Sequence, residues 1–183
     1  MIFVPLLVAS YTLRMLIVFG GLPGSGKTTL SRELARRLSA TWLRVDTLEQ
    51  AILRSGIAIE SGSAGYFTAY AVAEDNLRLG ATVIADAVNA LTNIRNSWRE
   101  LAGASGVLFV EVEVTCSNPT MHRQRIEQRS ADIYSHVLPS WQEVQQREYH
   151  PWEGEPIRID TALLSVEQAT DEILRRLSPH LVS

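Results

Sequence analysis

MLIVFGGLPGSGKTTL, residues 15 to 30, sets a strand, a glycine-rich turn and the opening of a helix end to end. MLIVF is a short apolar run closed by glycines, the pattern of a buried strand. Past the turn, Leu30, Leu34 and Leu38 recur at four-residue spacing, which is the stripe of a helix. Between the two, Gly21, Gly26, Lys27 and Thr28 satisfy GxxxxGK[ST]. A preceding strand and a following helix separate a phosphate-binding loop from a glycine turn that merely starts a helix.

Each residue type in this loop has a physical reason. Glycines let successive backbone N–H groups turn inward around a polyphosphate, and the helix N-terminus adds partial positive charge. Lys27 is the single lysine among 17 basic side chains, all the others being arginine. Its compact ammonium on a flexible stem suits the β- and γ-phosphates, where a planar guanidinium needs different room. Thr28 offers a hydroxyl to Mg²⁺. The expected nucleotide-binding set is Gly21, Leu22, Pro23, Gly24, Ser25, Gly26, Lys27, Thr28 and Thr29.

Outward from this loop the chain keeps alternating. TWLRV (41–45) reads as a strand before a helix from about Asp46 to Arg54, and a helix near Tyr66 to Leu79 stops at Gly80. ATVIA (81–85) is the next strand, followed by a helix near Thr92 to Ala102. GVLFVEVEVTC (106–116) leads to the arginine-rich SNPTMHRQRIEQR, plausible as a helix. After an irregular stretch at 130–140 and a helix toward Tyr149, PIRI (156–159) is the last strand, and a helix over Val166 to Leu177 closes the chain. Five strands alternating with helices imply an α/β fold of three layers, a parallel sheet covered on both faces.

With 183 residues, 46% hydrophobic and 20% charged, the chain suits one domain. The apolar opening MIFVPLLVASYTLR lacks a basic leader region and meets Arg14 short of a membrane span. Residues 1–14 therefore read as an N-terminal extension and 15–183 as the domain, with no membrane partner. The net charge of −3 offers no general footprint for nucleic acid, so a small-molecule partner is expected. One cysteine, Cys116, and no Cys/His cluster point to a reducing, cytoplasmic setting.

Three aspartates follow strands: Asp46, Asp86 and Asp160. Carboxyl ends of parallel strands form the ligand crevice. Phosphoryl transfer asks for one carboxylate to take the acceptor's proton and another to hold Mg²⁺, which assigns Asp46 as base and Asp86 to the metal shell. The D-x-x-E of Asp46 and Glu49 also fits a helix cap, and Asp160 reads as a turn or cap. Arg125 and Arg129 lie four apart on the helix of HRQRIEQR, suited to a lid over about 120–150 that stabilises transferring charge, against a solvated face balanced by Glu127. Arg95 and Arg99 form a weaker pair of the same kind. Tyr66 and Tyr70 line either a substrate pocket or the core. His122, His136, His150 and His180 are scattered, with no catalytic grouping.

GLPGSGKTT, Asp46, the IADAVNA stretch around Asp86 and HRQRIEQR together resemble the P-loop kinases of small molecules and nucleic-acid ends. That group includes gluconate kinase, chloramphenicol phosphotransferase and the polynucleotide kinase domain. The resemblance spans about residues 15–178 and implies a P-loop NTPase fold, sheet order 2-3-1-4-5 and a mobile lid. It further implies ATP and Mg²⁺ as cofactors, in a monomer or homodimer. It carries over to Lys27 and Thr28 as phosphate and metal ligands, Asp46 as base, Asp86 as the carboxylate ending the third strand, and Arg125 and Arg129 as lid arginines. Polynucleotide kinases carry an arginine three residues after the base, where this chain has Glu49, which argues against a nucleic-acid acceptor. Glu111 and Glu113, on one face of an interior strand, depart from the pattern without explanation from sequence. The leading expectation is γ-phosphate transfer from ATP to a small-molecule hydroxyl. The competing ones are a nucleotide or nucleic-acid-end kinase and a regulatory P-loop ATPase.

Overall fold

The computed structural model describes residues 14–56 and 63–181, with side chains through Pro179. The expected N-terminal extension up to residue 13, and residues 57–62 of the loop before Tyr66, lie outside the described residues. In chain order the elements are β1 (Met15–Gly20), α1 (Lys27–Leu38), β2 (Thr41–Arg44), α2 (Val45–Arg54), α3 (Ala64–Arg78), β3 (Val83–Asp86) and α4 (Thr92–Ser105). There follow β4 (Leu108–Thr115), α5 (Pro119–Gln128), α6 (Trp141–Gln145), β5 (Ile157–Asp160) and α7 (Val166–Leu181).

The sheet runs β2-β3-β1-β4-β5 with every pairing parallel. This is the order implied by the resemblance. β1 lies at its centre and all of its residues are buried. Its side chains alternate between two cores, as the two-residue period of a strand dictates. Met15, Ile17 and Phe19 pack with Leu30 and Leu34 of α1 and Ile173 and Leu177 of α7. Leu16 and Val18 pack with Ala69, Ala73 and Leu77 of α3 and Trp98 of α4. Each such side chain contributes roughly 1.5–3 kcal/mol by leaving water, so helices on both faces follow from a strand with no polar side.

Small shifts at element ends carry the main differences from the sequence expectation. β2 stops at Arg44, so Val45 already belongs to α2, and β3 extends through Asp86 itself. The helix expected to reach Tyr149 ends at Gln145 after a capping box between Ser140 and Glu143. The interior glutamates are accounted for by partners. Glu111 meets Arg99 of α4 at 2.9 Å, and Glu113, in register with Arg158 on β5, accepts from its Nε at 3.1 Å.

Candidate functional site

The site-building segments begin at carboxyl ends of strands. From β1 the chain enters the glycine loop and then α1, whose N-cap is Gly26 in the left-handed region (φ 97°) with no side chain closing the helix end. The first N–H groups of α1 therefore lack intrahelical acceptors. Inside this turn the Ser25 hydroxyl is buried without a hydrogen-bond partner. Gly24, at φ 81°, is packed from behind by α5: a Cβ there would stand 2.7 Å from Ile126 Cδ1 and 3.1 Å from His122 Cδ2. The His122 ring nitrogen Nε2 bonds the Pro23 carbonyl at 2.7 Å, and its ring meets Trp141 edge-on at 5.2 Å.

Lys27 is 6% exposed and makes no hydrogen bond or ion pair with any described residue. Burial holds its ammonium below the ordinary 10.5, while the charges of Asp86 and Asp46 act in the opposite sense. Asp86 is buried at the end of β3, with Oδ1 accepting from the Thr28 hydroxyl at 3.3 Å and Oδ2 left without a partner. Burial pushes this carboxyl above 3.8, and Lys27 opposes the shift. An orphaned carboxylate oxygen beside a threonine hydroxyl, at the head of a phosphate loop, fits a Mg²⁺ whose remaining ligands are phosphate and water. Among the described residues no cluster of three or more His, Cys, Asp or Glu side chains forms a self-sufficient metal cage.

Two cavities meet at Lys27. The first, about 630 Å³, runs over Gly24, Gly26, Lys27, Thr28 and Thr29 toward Arg125, Thr161 and Val166. The second, about 420 Å³, is walled by Asp46, Glu49, Tyr66, His136 and Arg147. Lys27 and Arg129 line both.

Asp46 stands in the first turn of α2, one residue past its start. The capping alternative fails here, because the N-cap is Arg44 and no side chain caps the helix. Asp46 Oδ2 lies 4.0 Å from Arg44 Nε. Arg44, almost fully buried, also grips Asp132 through two bonds of 2.7 and 3.0 Å, which holds that carboxyl below 3.8. This pair ties the end of β2 to the segment after α5.

Arg125 on α5 and Arg129, which follows it in extended backbone, both line the first cavity, where the solvated-face alternative would place them in water; the helical face expected for the pair is not completed, because α5 stops at Gln128. Arg125 donates to the Thr161 hydroxyl at 2.7 Å and to its carbonyl at 3.0 Å. Glu127 instead pairs with exposed Arg123. The remaining expectations divide. Asp160 Oδ1 accepts from the N–H groups of Ser117 and Ala162, the turn role foreseen for it. Arg95 and Arg99 do not act together: Arg95 is fully buried, donates to the carbonyls of Asn89, Ala90, His150 and Pro151 and stacks on Trp152 at 4.8 Å. Tyr66 lines the second cavity, whereas Tyr70 packs edge-on against Trp98 at 4.4 Å in the core.

Sequence reasoning missed four contributors. Arg44 and Asp132 pair across 88 positions, and only the oddity of an arginine inside TWLRV hinted at the first. His122 and Asn89 had no pattern around them. Asn89, fully buried, donates to the Phe19 carbonyl at 2.6 Å and accepts from Trp98 Nε1 at 3.1 Å, which pins the loop after Asp86 to β1.

A family model described as an AAA domain matches residues 16–150. No curated protein sequence matches the chain. The fold is shared with an APS kinase from Mycobacterium tuberculosis in complex with AMPPNP and APS, at 18% identity and a TM-score of 0.67 over 91% of this chain and 98% of that one. It is shared with a gluconokinase from Sinorhizobium meliloti 1021, at 18% identity and a TM-score of 0.63 over 92% and 93%. Kti12 from Chaetomium thermophilum in complex with ADP-AlF3 is similar too, at 21% identity and 0.63 over 87% and 97%. Among the described residues no helix is long and apolar enough to cross a membrane.

Proposed function

This chain belongs to the AAA domain family, and on that premise we propose that it is an ATP- and Mg²⁺-dependent kinase transferring the γ-phosphate to a hydroxyl of a small molecule. The observation that carries this reading is the position of Lys27: buried, without a partner, in the wall common to two cavities. A phosphoryl group handed from one cavity to the other would pass that ammonium. The pure ATPase alternative gives no role to a second cavity lined by Asp46 and Tyr66. The net charge of −3 and the carboxylates Asp46 and Glu49 on the α2 wall of the second cavity support a small molecule over a nucleic-acid end.

The first cavity takes the nucleotide, with its phosphates on the backbone of Gly21 to Thr29 and its outer part beside Arg125 and Thr161. Thr28 and Asp86 would hold Mg²⁺, which when bound neutralises phosphate charge. Asp46 takes the proton of the acceptor hydroxyl as its oxygen bonds the γ-phosphorus. The bond from that phosphorus to the β-phosphate oxygen breaks, leaving a phosphomonoester, ADP and one released proton. Lys27 and Arg129 face the transferring group from both cavities and counter its charge.

Asp46→Ala tests this directly. Phosphate transfer, followed by ³¹P NMR of the product, should fall about 10²–10⁴-fold while AMPPNP still binds. Unchanged transfer in that variant removes Asp46 as the base. Steady ATP hydrolysis that no alcohol accelerates, insensitive to the substitution, replaces the kinase with an ATPase.

A further inference from the structure

The second cavity carries two carboxylates on its α2 wall, and among the described residues no hydrogen bond or ion pair holds the outer one, Glu49. Asp46 and Glu49 sit one helical turn apart on α2, about 5–6 Å between Cβ atoms, and both line the cavity. Asp46 has Arg44 nearby. No hydrogen bond or ion pair engages Glu49 among the described residues.

Glu49 is anchored at its root. α3 crosses α2 so closely that a Cβ on Gly65 would stand 3.0 Å from Glu49 Cβ and 3.2 Å from Val45 Cγ1. The next residue, Tyr66, closes the same wall, its hydroxyl accepting from the Asn89 N–H. Burial and the charge of Asp46 push the Glu49 carboxyl above 4.5, with His136 opposing. An ionised Glu49 thus stands in a partly dry place with no bonded partner among the described residues, His136 acting on it only through space.

The cavity's basic side chains stand on walls other than α2. Lys27 and Arg129 also face the nucleotide side. Arg147 lines the same cavity as Glu143, whose carboxyl is held low first by its bonds to the Ser140 N–H and hydroxyl and then by the Arg147 charge. His136 adds a buried Nδ1 with no partner. α2 and α3 present no basic side chain to the cavity, so an anionic acceptor would meet two like charges on that wall.

Resting on the kinase reading, we propose that the acceptor is a cationic alcohol, its hydroxyl on Asp46 and a primary ammonium, about two to four bonds away, on Glu49. The ammonium keeps its proton throughout. Only the hydroxyl oxygen bonds phosphorus, and the products are the phosphorylated amino alcohol, ADP and a proton.

The test uses the full chain with Mg²⁺ and paired alcohols: ethanolamine and ethylene glycol, glucosamine and glucose, 2-deoxystreptamine and inositol, with gluconate as the anionic arm. Thermal shift with Mg-AMPPNP reads binding, and ³¹P NMR with ATP reads transfer. At least one amine should exceed its neutral partner by about tenfold or more in kcat/KM. Glu49→Gln should erase that preference through KM, with kcat and AMPPNP binding little changed. Phosphorylation of glucose, inositol or gluconate as readily as of the amines, or an amine preference untouched in Glu49→Gln, overturns the ammonium site while the kinase stands. Glu49-dependent amine binding without any transfer overturns the kinase and keeps the site. If no member of the panel binds or reacts, both fall.

Discussion

The two cavities that meet at Lys27 are built in opposite ways. One end of the first cavity rests on a single uninterrupted segment, Gly24 to Thr29, where the backbone forms much of the wall, while Arg125 and Thr161 close its far side. The second cavity, proposed to take the acceptor, is assembled from α2, the start of α3, the loop after β3 and the segment around α6, and its lining is mostly side chains. A backbone cradle is tied to a fixed spacing of glycines, so it appears as a motif. A side-chain wall is tied only to the fold, so its members can change with the acceptor while the frame stays.

Substitutions should separate the two sides. The largest effect is expected at their junction. Lys27→Arg keeps the charge but needs more room than a 6%-exposed site provides. It should lower kcat by about 10³-fold, whichever acceptor is used. A variant of normal rate would break the claim that one ammonium serves both cavities.

Next comes Gly24→Ala, which acts on the nucleotide side. Its φ of 81° and the 2.7 Å approach to Ile126 Cδ1 combine left-handed strain with overpacking against α5, costing roughly 2–4 kcal/mol. Calorimetry should show a lower Tm together with weaker AMPPNP binding. A change confined to acceptor KM would contradict the division.

Gly65→Ala is the mirror experiment. The added methyl presses Glu49 and the Val45 carbonyl, the latter at 3.3 Å, for about 1–2 kcal/mol. Acceptor KM should rise several-fold and AMPPNP affinity hold, read by titration calorimetry. Equal losses on both sides would show that α2 and the glycine loop move as one body.

The smallest effect is a pH dependence on the metal side. Burial raises the Asp86 carboxyl above 3.8, so the folded state holds that proton more tightly than the unfolded chain does. Its effect on the free protein's stability therefore turns unfavourable as pH rises through the window between 3.8 and the raised value. Mg²⁺ needs the carboxylate, so the gain in Tm from Mg-AMPPNP should grow over that same window. The gain should be flat in Asp86→Asn, as scanning fluorimetry at stepped pH would show. A gain independent of pH in the unsubstituted protein would place the metal elsewhere.

Legibility followed the same division. The glycine loop and the alternation of strands and helices were legible in the sequence, because periodicity and short spacings record local geometry, and the cavity-lining Arg125 was singled out from the same segment. Asp46 was singled out from sequence too, but whether it capped α2 depended on where the helix began. That was decided by a single residue, Val45. Glu111 and Glu113 looked misplaced until Arg99 and Arg158 stood beside them.

By itself the sequence determined a parallel α/β fold with a phosphate loop at its first strand. A wholly apolar strand needs cover on both faces, and a GxxxxGKT turn has few other uses. Only the tertiary structure decided which charges meet. Arg44 with Asp132 and His122 with Pro23 are contacts between distant segments, and Asp46, Glu49, Tyr66 and His136 line one cavity from distant segments. Their pairing is fixed by sheet order and helix packing, which no local spacing encodes.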